Sequence, residues 1–422
     1  MTTRAQRRRQ NLDMSPLWAG VLLMLIGVGV IYSALLSPGG VVTGDEHLKQ
    51  LQWVVVALLV AGFATLISPR TLDALTWPLY GLILLGLVAV LVLPADMTGT
   101  HRWLRIGAFT FQPSELAKVF TLLGLARYLG EHRCDPNRVG TILQVFAIAG
   151  LPMLLVLKQP DLGTSLVFPP LAVALLYWRG LSTVNLFLLV TPAISAVTAF
   201  IYPPVLGEPD FIHMLPWATL MILVTGAAIF SGMGVVRGVF ALATNIGAGI
   251  VTPYIWRGLK SYQQQRIVTF LQPEADPLGA GYQIIQSKVA IGSGGFWGKG
   301  YLNGSQSKLD FLPERHTDFV FAVLGEEAGW VGAVFVLLVF FFVVARAIQI
   351  ARQTRHRYAS LVAFGIATIF CFHVLVNVGM ATGLMPVTGL TLPLVSYGGS
   401  SMVVTMGMIG LLVGIGMRRH HQ

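Results

Sequence analysis

Side chains able to do acid–base or anion chemistry are few in this 422-residue chain, and they gather in short stretches beside apolar runs. One stretch reads His101-Arg102-Trp103-Leu104-Arg105 and resumes as Gln112-Pro113-Ser114-Glu115-Leu116-Ala117-Lys118. Pro113 suits the first turn of a helix, where its missing N–H costs nothing. Glu115 and Lys118 are three residues apart and so share a helix face. The pair reads in two ways: a local ion pair at a membrane edge with Lys118 snorkelling, or the lining of a polar cavity. Ionisable groups inside a span are costly and face a partner or a cavity. Trp103 fits an interfacial anchor, and the flanking Arg102 and Arg105 are suited to holding an anion against its ring.

A second stretch, Lys158-Gln159-Pro160-Asp161-Leu162-Gly163-Thr164, is a tight turn. Asp161 there is expected to cap the following helix, a common role for Asp, and could also pair with Lys118 across helices; the two roles are compatible. A third stretch, Pro273-Glu274-Ala275-Asp276-Pro277-Leu278-Gly279-Ala280-Gly281-Tyr282, is turn chemistry. Beyond it, the residues from Gln286-Ser287-Lys288 onward have a helical look. Gly292 to Gly300 is glycine-rich but lacks the GxxxxGK[ST] spacing of a phosphate loop, and a glycine bend is the simpler reading. Leu312 to Phe319 follows, with Glu326 and Glu327 about two turns deeper. No HExxH spacing links the nine histidines, and no nucleophile elbow occurs. Near the C-terminus, Gly383 to Ser401 includes Pro386, Pro393 and Ser396 among several glycines. Irregular backbone at membrane depth survives only against protein or a water-filled cavity, so this segment is expected to form a cavity wall.

What must position these groups is a membrane-embedded bundle. The chain is 55% hydrophobic and 11% charged, against roughly 25% charged in a soluble domain; its mean hydropathy is +0.73. Apolar runs of about 20 residues recur, each long enough for a hydrocarbon core of about 30 Å. They do not alternate as barrel strands do, so the expected fold is all-α: a polytopic transmembrane helical bundle. Its spans are expected near 17–36, 51–68, 74–94, 113–130, 139–157, 162–179, 184–203, 213–231, 235–256, 317–346, 359–381 and 394–417. Arg70, Arg133, Arg138, Arg179, Arg237, Arg352, Arg355, Arg357, Arg418 and Arg419 fall in alternate connections. Short Lys/Arg-rich loops face the cytoplasm, which puts both termini inside. The remaining connections are then extracytoplasmic, including a large loop at 257–316 that carries Arg257, Lys260, Arg266, Lys288, Lys299, Lys308 and Arg315. A basic excess held outside invites an anionic substrate. The net charge of +10 is explained by these loops and does not point to nucleic acid. Cys134 and Cys371 sit in an inside loop and in mid-span, so no disulfide is expected. The N-terminal arginines lead into a first membrane helix with no small-residue cleavage site.

The stretches RWLRIG at 102–107, QPSELAK at 112–118, QPDLGTS at 159–165, QQQRI at 263–267, QPEADPLGAGYQIIQSKVAIGSGG at 272–295, GSQSKLDFLPERHTDFVFAVLGEE at 304–327 and GLMPVTGLTLPLVSYGGSS at 383–401 together resemble the SEDS family (shape, elongation, division and sporulation). The RodA branch is a better match than the FtsW branch. The resemblance covers nearly the whole chain as one integral membrane domain, 1–422. The family has about ten spans where about twelve are read here, so either 182–232 is a two-helix insertion or the count of twelve is too high. The resemblance implies a peptidoglycan glycosyltransferase of the bacterial cytoplasmic (inner) membrane. It would polymerise lipid II on the extracytoplasmic face during elongation, beside a class B penicillin-binding protein and other elongation-complex proteins, among membrane lipids. Asp276 matches the family's essential loop aspartate, and Trp103, Glu115, Lys118 and Asp161 match its cavity residues. Arg102, Arg105, Arg266 and Lys288 are the candidate anion contacts, and Ser396 belongs to the cavity wall. A divalent cation, Mg or Mn, could ride on the pyrophosphate, though no ligand set is visible and no cofactor is otherwise expected. A lipid II flippase or a non-enzymatic scaffold are the competing readings.

Overall fold

The computed structural model describes residues 13–37, 41–42, 44–93, 102–106, 109–131, 134–201, 211–230, 234–259, 261–275, 281–308 and 314–419. The helices are α1 Ser15–Ala34, α2 Glu46–Leu66, α3 Pro69–Val92, α4 Pro113–Gly130, α5 Val139–Lys158, α6 Leu162–Ser165, α7 Phe168–Arg179 and α8 Thr183–Ile201. They continue as α9 Phe211–Phe230, α10 Val235–Gly258, α11 Ser261–Leu271, α12 Tyr282–Gly294, α13 Ser305–Lys308, α14 Val320–Gln353, α15 Arg357–Thr382 and α16 Gly399–Arg418. Among the described residues, nine helical segments are long and apolar enough to cross a membrane, and α4, α8 and α9 cover the other expected spans. The chain is a multi-pass helical membrane protein.

It divides into two compact units, Met1–Arg179 with Gln283–Gln422, and Gly180–Tyr282. In the first, α4, α15 and α16 are the most enclosed spans. α16 packs closely along α2, α15 along α14, α4 and α7, and α3 along α4. Small residues permit the closest of these approaches. Gly410 and Gly414 are four apart on α16 and meet the backbone of Ala61 and Thr65 on α2; a methyl at Gly410 would collide with the Ala61 carbonyl. Ala57 and Ala61 on the facing side are fully buried. Lipid tails are as apolar as side chains, so close backbone packing of small residues is what joins such helices. Leu59, Phe63, Leu85 and Phe341 point outward, as lipid-facing positions should. In the second unit, α8, α9 and α10 pack together. Asn245 there is buried and donates to Thr191 Oγ1 at 3.1 Å and to the Ala241 carbonyl at 2.8 Å.

The structure departs from the sequence reading in three places. Leu104–Ile106 (β1) and Phe109–Phe111 (β2) form an antiparallel hairpin where a loop was expected, pairing Leu104 with Phe111, Arg105 with Thr110 and Ile106 with Phe109. The helix expected over 162–179 is two pieces, because Pro169 and Pro170 can donate no hydrogen bond back into α6 and instead occupy the first turn of α7. Much of the loop expected over 257–316 is helical, in α11, α12 and α13.

The glycine-rich stretch is a bend, as its composition suggests, with Gly295, Gly298 and Gly300 all at positive φ. It is matched to a break in α14. Gly329 stands at φ 64°, ψ −165° inside that helix, a conformation open to glycine and costly to other residues. The break strands backbone groups, and the bend takes them up. Lys299 and Gly300 donate N–H to the carbonyls of Glu326 and Glu327, both at 3.0 Å. The Trp330 and Val331 amides in turn donate to the carbonyls of Gly295 and Phe296, at 3.0 and 3.2 Å. Leaving such groups unsatisfied in an apolar setting costs several kcal/mol each.

Candidate polar site at the broken-helix wall

The α4 N-terminus carries the first cluster. Lys118 is 2% exposed and Glu115 6%. Their helical spacing lets Lys118 Nζ donate to Glu115 Oε1 at 2.9 Å. His373 reaches the same ammonium from α15, with Nε2 3.0 Å from Lys118 Nζ. An ammonium only donates, so Nε2 accepts and the imidazole proton lies on Nδ1. That nitrogen faces the Thr391 carbonyl at 3.3 Å. The line Glu115–Lys118–His373–Thr391 thus ties α4 through α15 to the segment between α15 and α16. The pair is a local ion pair, as the first reading has it, but a buried one, since a snorkelling lysine would be exposed.

Asp161 lies beside it. Its Oδ1 accepts the Thr164 amide at 3.1 Å, capping α6. Its Oδ2 accepts from Gln112 Nε2 at 2.9 Å and Ser114 Oγ at 3.2 Å. The capping role holds, and among the described residues Lys118 pairs with Glu115 and not with Asp161. Arg102 donates its Nε to the Gln159 carbonyl at 3.1 Å and also reaches the Pro160 carbonyl. This fixes the segment leading into β1 onto the turn that presents Asp161. Trp103 itself is 39% exposed.

The broken segment after α15 forms a buried wall. α15 ends at Gly383, at φ 74°, and the amides of Leu384 and Met385 return to the Gly379 carbonyl. Ser396 is buried; its Oγ donates to the Thr317 carbonyl at 2.6 Å and accepts the Leu392 amide at 2.8 Å. Gln50 of α2 holds the Ser396 carbonyl at 3.2 Å. Asn377, four residues beyond His373 on α15, donates to the carbonyls of Asp318 and Leu390 at 3.0 and 2.8 Å. Much of the irregular backbone here has a protein partner, which is the condition for its survival at this depth.

The remaining sequence candidates are placed less closely. Lys288 is exposed on α12, its side chain crossing Gly383 where any larger residue would clash. Arg105 contributes backbone to the hairpin, and its side chain lies outside the described residues. Arg266 is half-buried on α11, in the second unit. Asp276 lies outside the described residues, just past the 3-10 turn Pro273–Ala275. The sequence reading missed Gln112, Ser114, His373, Asn377 and Gln50. For His373 and Asn377 a signal existed: two polar residues four apart in an apolar helix share one face, and a face of that kind must turn inward. Among the described residues no group of three or more His, Cys, Asp or Glu could hold a metal.

Comparisons with known proteins agree on one kinship. The FTSW_RODA_SPOVE family, described as cell cycle protein, matches residues 14–209 and 205–421. The chain is 37% identical over 401 residues to the peptidoglycan glycosyltransferase MrdB of Escherichia coli (strain K12), covering 94% of this chain and 93% of that one. It is 35% identical over 426 residues to the peptidoglycan glycosyltransferase RodA of Treponema pallidum (strain Nichols), covering 94% and 95%. Among solved structures it is similar to a chain from work on structural coordination of polymerization and crosslinking by a peptidoglycan synthase complex. The TM-score there is 0.70 at 32% identity, covering 97% of this chain and 99% of that one. The rod shape determining protein RodA of Thermus thermophilus gives 0.61 at 26% identity, covering 97% and 98%.

Proposed function

The chain belongs to the FTSW_RODA_SPOVE family, and from that premise we propose that it polymerises lipid II into glycan strands during cell elongation. It is a peptidoglycan glycosyltransferase, as its curated relatives are. The observation that carries the mechanistic reading is the buried Glu115–Lys118–His373 line beside Asp161. It is a buried polar cluster at the end of the bundle that the charge pattern assigns to the outside of the cytoplasmic membrane.

The donor sugar carries a lipid pyrophosphate in α linkage and the product is β, so one displacement with one inversion suffices. The acceptor hydroxyl loses its proton to Asp276. Its oxygen bonds to the anomeric carbon, and the bond to the pyrophosphate breaks with the electron pair leaving on phosphate oxygen. Such a step needs one base and cationic help for the leaving group. It does not need the close carboxylate pair of a retaining glycosidase. Lys118, Arg102, Arg105, Arg266 and Lys288 are the candidate cations, and Trp103, Glu115, Asp161 and Ser396 are the candidate groups for positioning the substrate. Any divalent cation would arrive on the pyrophosphate and belong to the substrate. A class B penicillin-binding protein is the proposed partner; the similar solved chain belongs to a complex that couples polymerization with crosslinking.

The test is purified protein in detergent with labelled lipid II. Wild type should make glycan polymer. Asp276→Asn should lose about 100- to 10,000-fold in rate, the usual contribution of a general base, with expression and partner binding intact. Full polymer yield from that variant overturns the base assignment. Lipid scrambling in liposomes without polymer would mean a flippase, and partner binding alone a scaffold.

A further inference from the structure

The opposite, arginine-rich end of the first unit holds a cavity that the glycosyl transfer does not use. It has a volume of about 220 Å³ and is lined by Trp178 and Arg179 from α7, Thr354 and Arg355 after α14, and Arg357, Ser360 and Leu361 from α15. Among the described residues no carboxylate lines it. An adjoining cavity of about 350 Å³ shares Arg355 and Arg357 and adds Asp73, Arg127 and Glu131. There Asp73 is already neutralised by Arg127 at 2.7 Å. Among the described residues no carboxylate pairs with Arg355 or Arg357, and both are exposed at the cavity mouth. The α15 N-terminus opens at the same place with no side-chain cap, adding unpaired N–H groups of its own. His356, which lines the adjoining cavity, has an enclosed Nδ1 with no partner.

The walls are built and not merely charged. Arg179 is held in place by donating to the Leu129 and Cys134 carbonyls at 2.8 and 3.0 Å. Trp178 donates to Ser360 Oγ at 3.0 Å and stacks on Phe364 with ring centroids 4.1 Å apart. Three guanidinium groups therefore sit over a fixed aromatic and aliphatic floor, at the ends of three membrane helices. We propose that this cavity binds the phosphate headgroup of an anionic phospholipid of the cytoplasmic leaflet. The arginines and the helix N-terminus hold the phosphate, and Trp178, Phe364 and Leu361 guide the acyl chains outward. Basic pockets between helices on this side of a membrane suit anionic headgroups. Free inorganic phosphate shares the chemistry but gains nothing from the apolar floor.

The experiment uses purified full-length chain in detergent. It is titrated with phosphatidylglycerol or with phosphatidylcholine of equal chain length, and bound lipid is counted by native mass spectrometry. Wild type should retain phosphatidylglycerol and not phosphatidylcholine. The double variant Arg355→Ala, Arg357→Ala should bind phosphatidylglycerol about 30-fold more weakly. Arg352→Ala, which removes a neighbouring charge outside the cavity, should bind as wild type does. Unchanged lipid II polymerisation by all three proteins certifies that they are folded, and it keeps this test separate from that of the catalytic reading. Equal retention of the two lipids overturns the proposal. So does a loss in Arg352→Ala that matches the double variant, which would mean diffuse surface charge. Millimolar inorganic phosphate that binds while phosphatidylglycerol is not retained would assign the site to free phosphate and overturn the lipid.

Discussion

Lys118 shows how much of this chain's chemistry hangs on single buried charges. It is 2% exposed and balanced by Glu115 at 2.9 Å. Breaking a buried pair from one side leaves an uncompensated charge and costs about 3–5 kcal/mol. Lys118→Met should therefore lower stability in detergent by about that amount and abolish polymer formation. Adding Glu115→Gln should recover most of the stability, because no lone charge remains, yet leave polymer absent. Recovery of polymer in the double variant would reduce the pair to a structural role. Glu115, Lys118 and Asp161 were legible in the sequence because each lies at a span edge beside a helix-starting Pro or turn. His373 was passed over, because its only signal is the spacing to Asn377 four residues on, which names a shared inward face and not the Lys118 partner. Asp161 was legible as a cap but not as the acceptor of Gln112 and Ser114, since those contacts join separate helices.

At the scale of elements, the apolar runs fixed most helices to within a few residues, as the match of 139–157 with α5 and 359–381 with α15 illustrates. Hydrophobic length is a strong signal because the bilayer imposes it. The hairpin at 104–111 escaped because three-residue strands carry almost no periodicity. In 257–316 the helical look of the stretch from Gln286 onward matches α12, whereas α11 escaped because it has little hydrophobic content to announce it. The α2–α16 contact yields a prediction of its own. Gly410→Ala places a methyl against the Ala61 carbonyl, and overpacking of this kind costs about 1–3 kcal/mol. Thermal unfolding in detergent should show the loss, and Gly407→Ala, whose methyl would meet only a Val60 side-chain carbon at 3.4 Å, should show much less.

For the whole molecule, the arrangement of arginines sets sidedness, and one native residue reports on it. Cys134 lies in a connection assigned to the cytoplasm, near Arg179. Burial pushes its thiol above the ordinary range, so little reactive thiolate exists at neutral pH. In intact cells of a Cys371→Ser background, a membrane-impermeant maleimide should leave Cys134 unlabelled. After permeabilisation it should label slowly at pH 7 and faster as pH rises. A cysteine at Trp297, exposed on the opposite side, should label without permeabilisation. Labelling of Cys134 in intact cells would invert the topology and move the polar cluster around Lys118 to the wrong side for a flipped precursor.

The bend at 295–300 and the break at Gly329 complete one another's backbone ladder, and this has a consequence for biosynthesis. The ribosome delivers the bend about thirty residues before the break it will fill. By the time Gly329 is threaded into the bilayer, the groups that satisfy its neighbours are already waiting. A circular permutant with its new termini between 304 and 320 would reverse that order. It should insert poorly although its finished hydrogen bonds are the same, and once assembled its amides at 299, 300, 330 and 331 should exchange with deuterium as slowly as those of the parent.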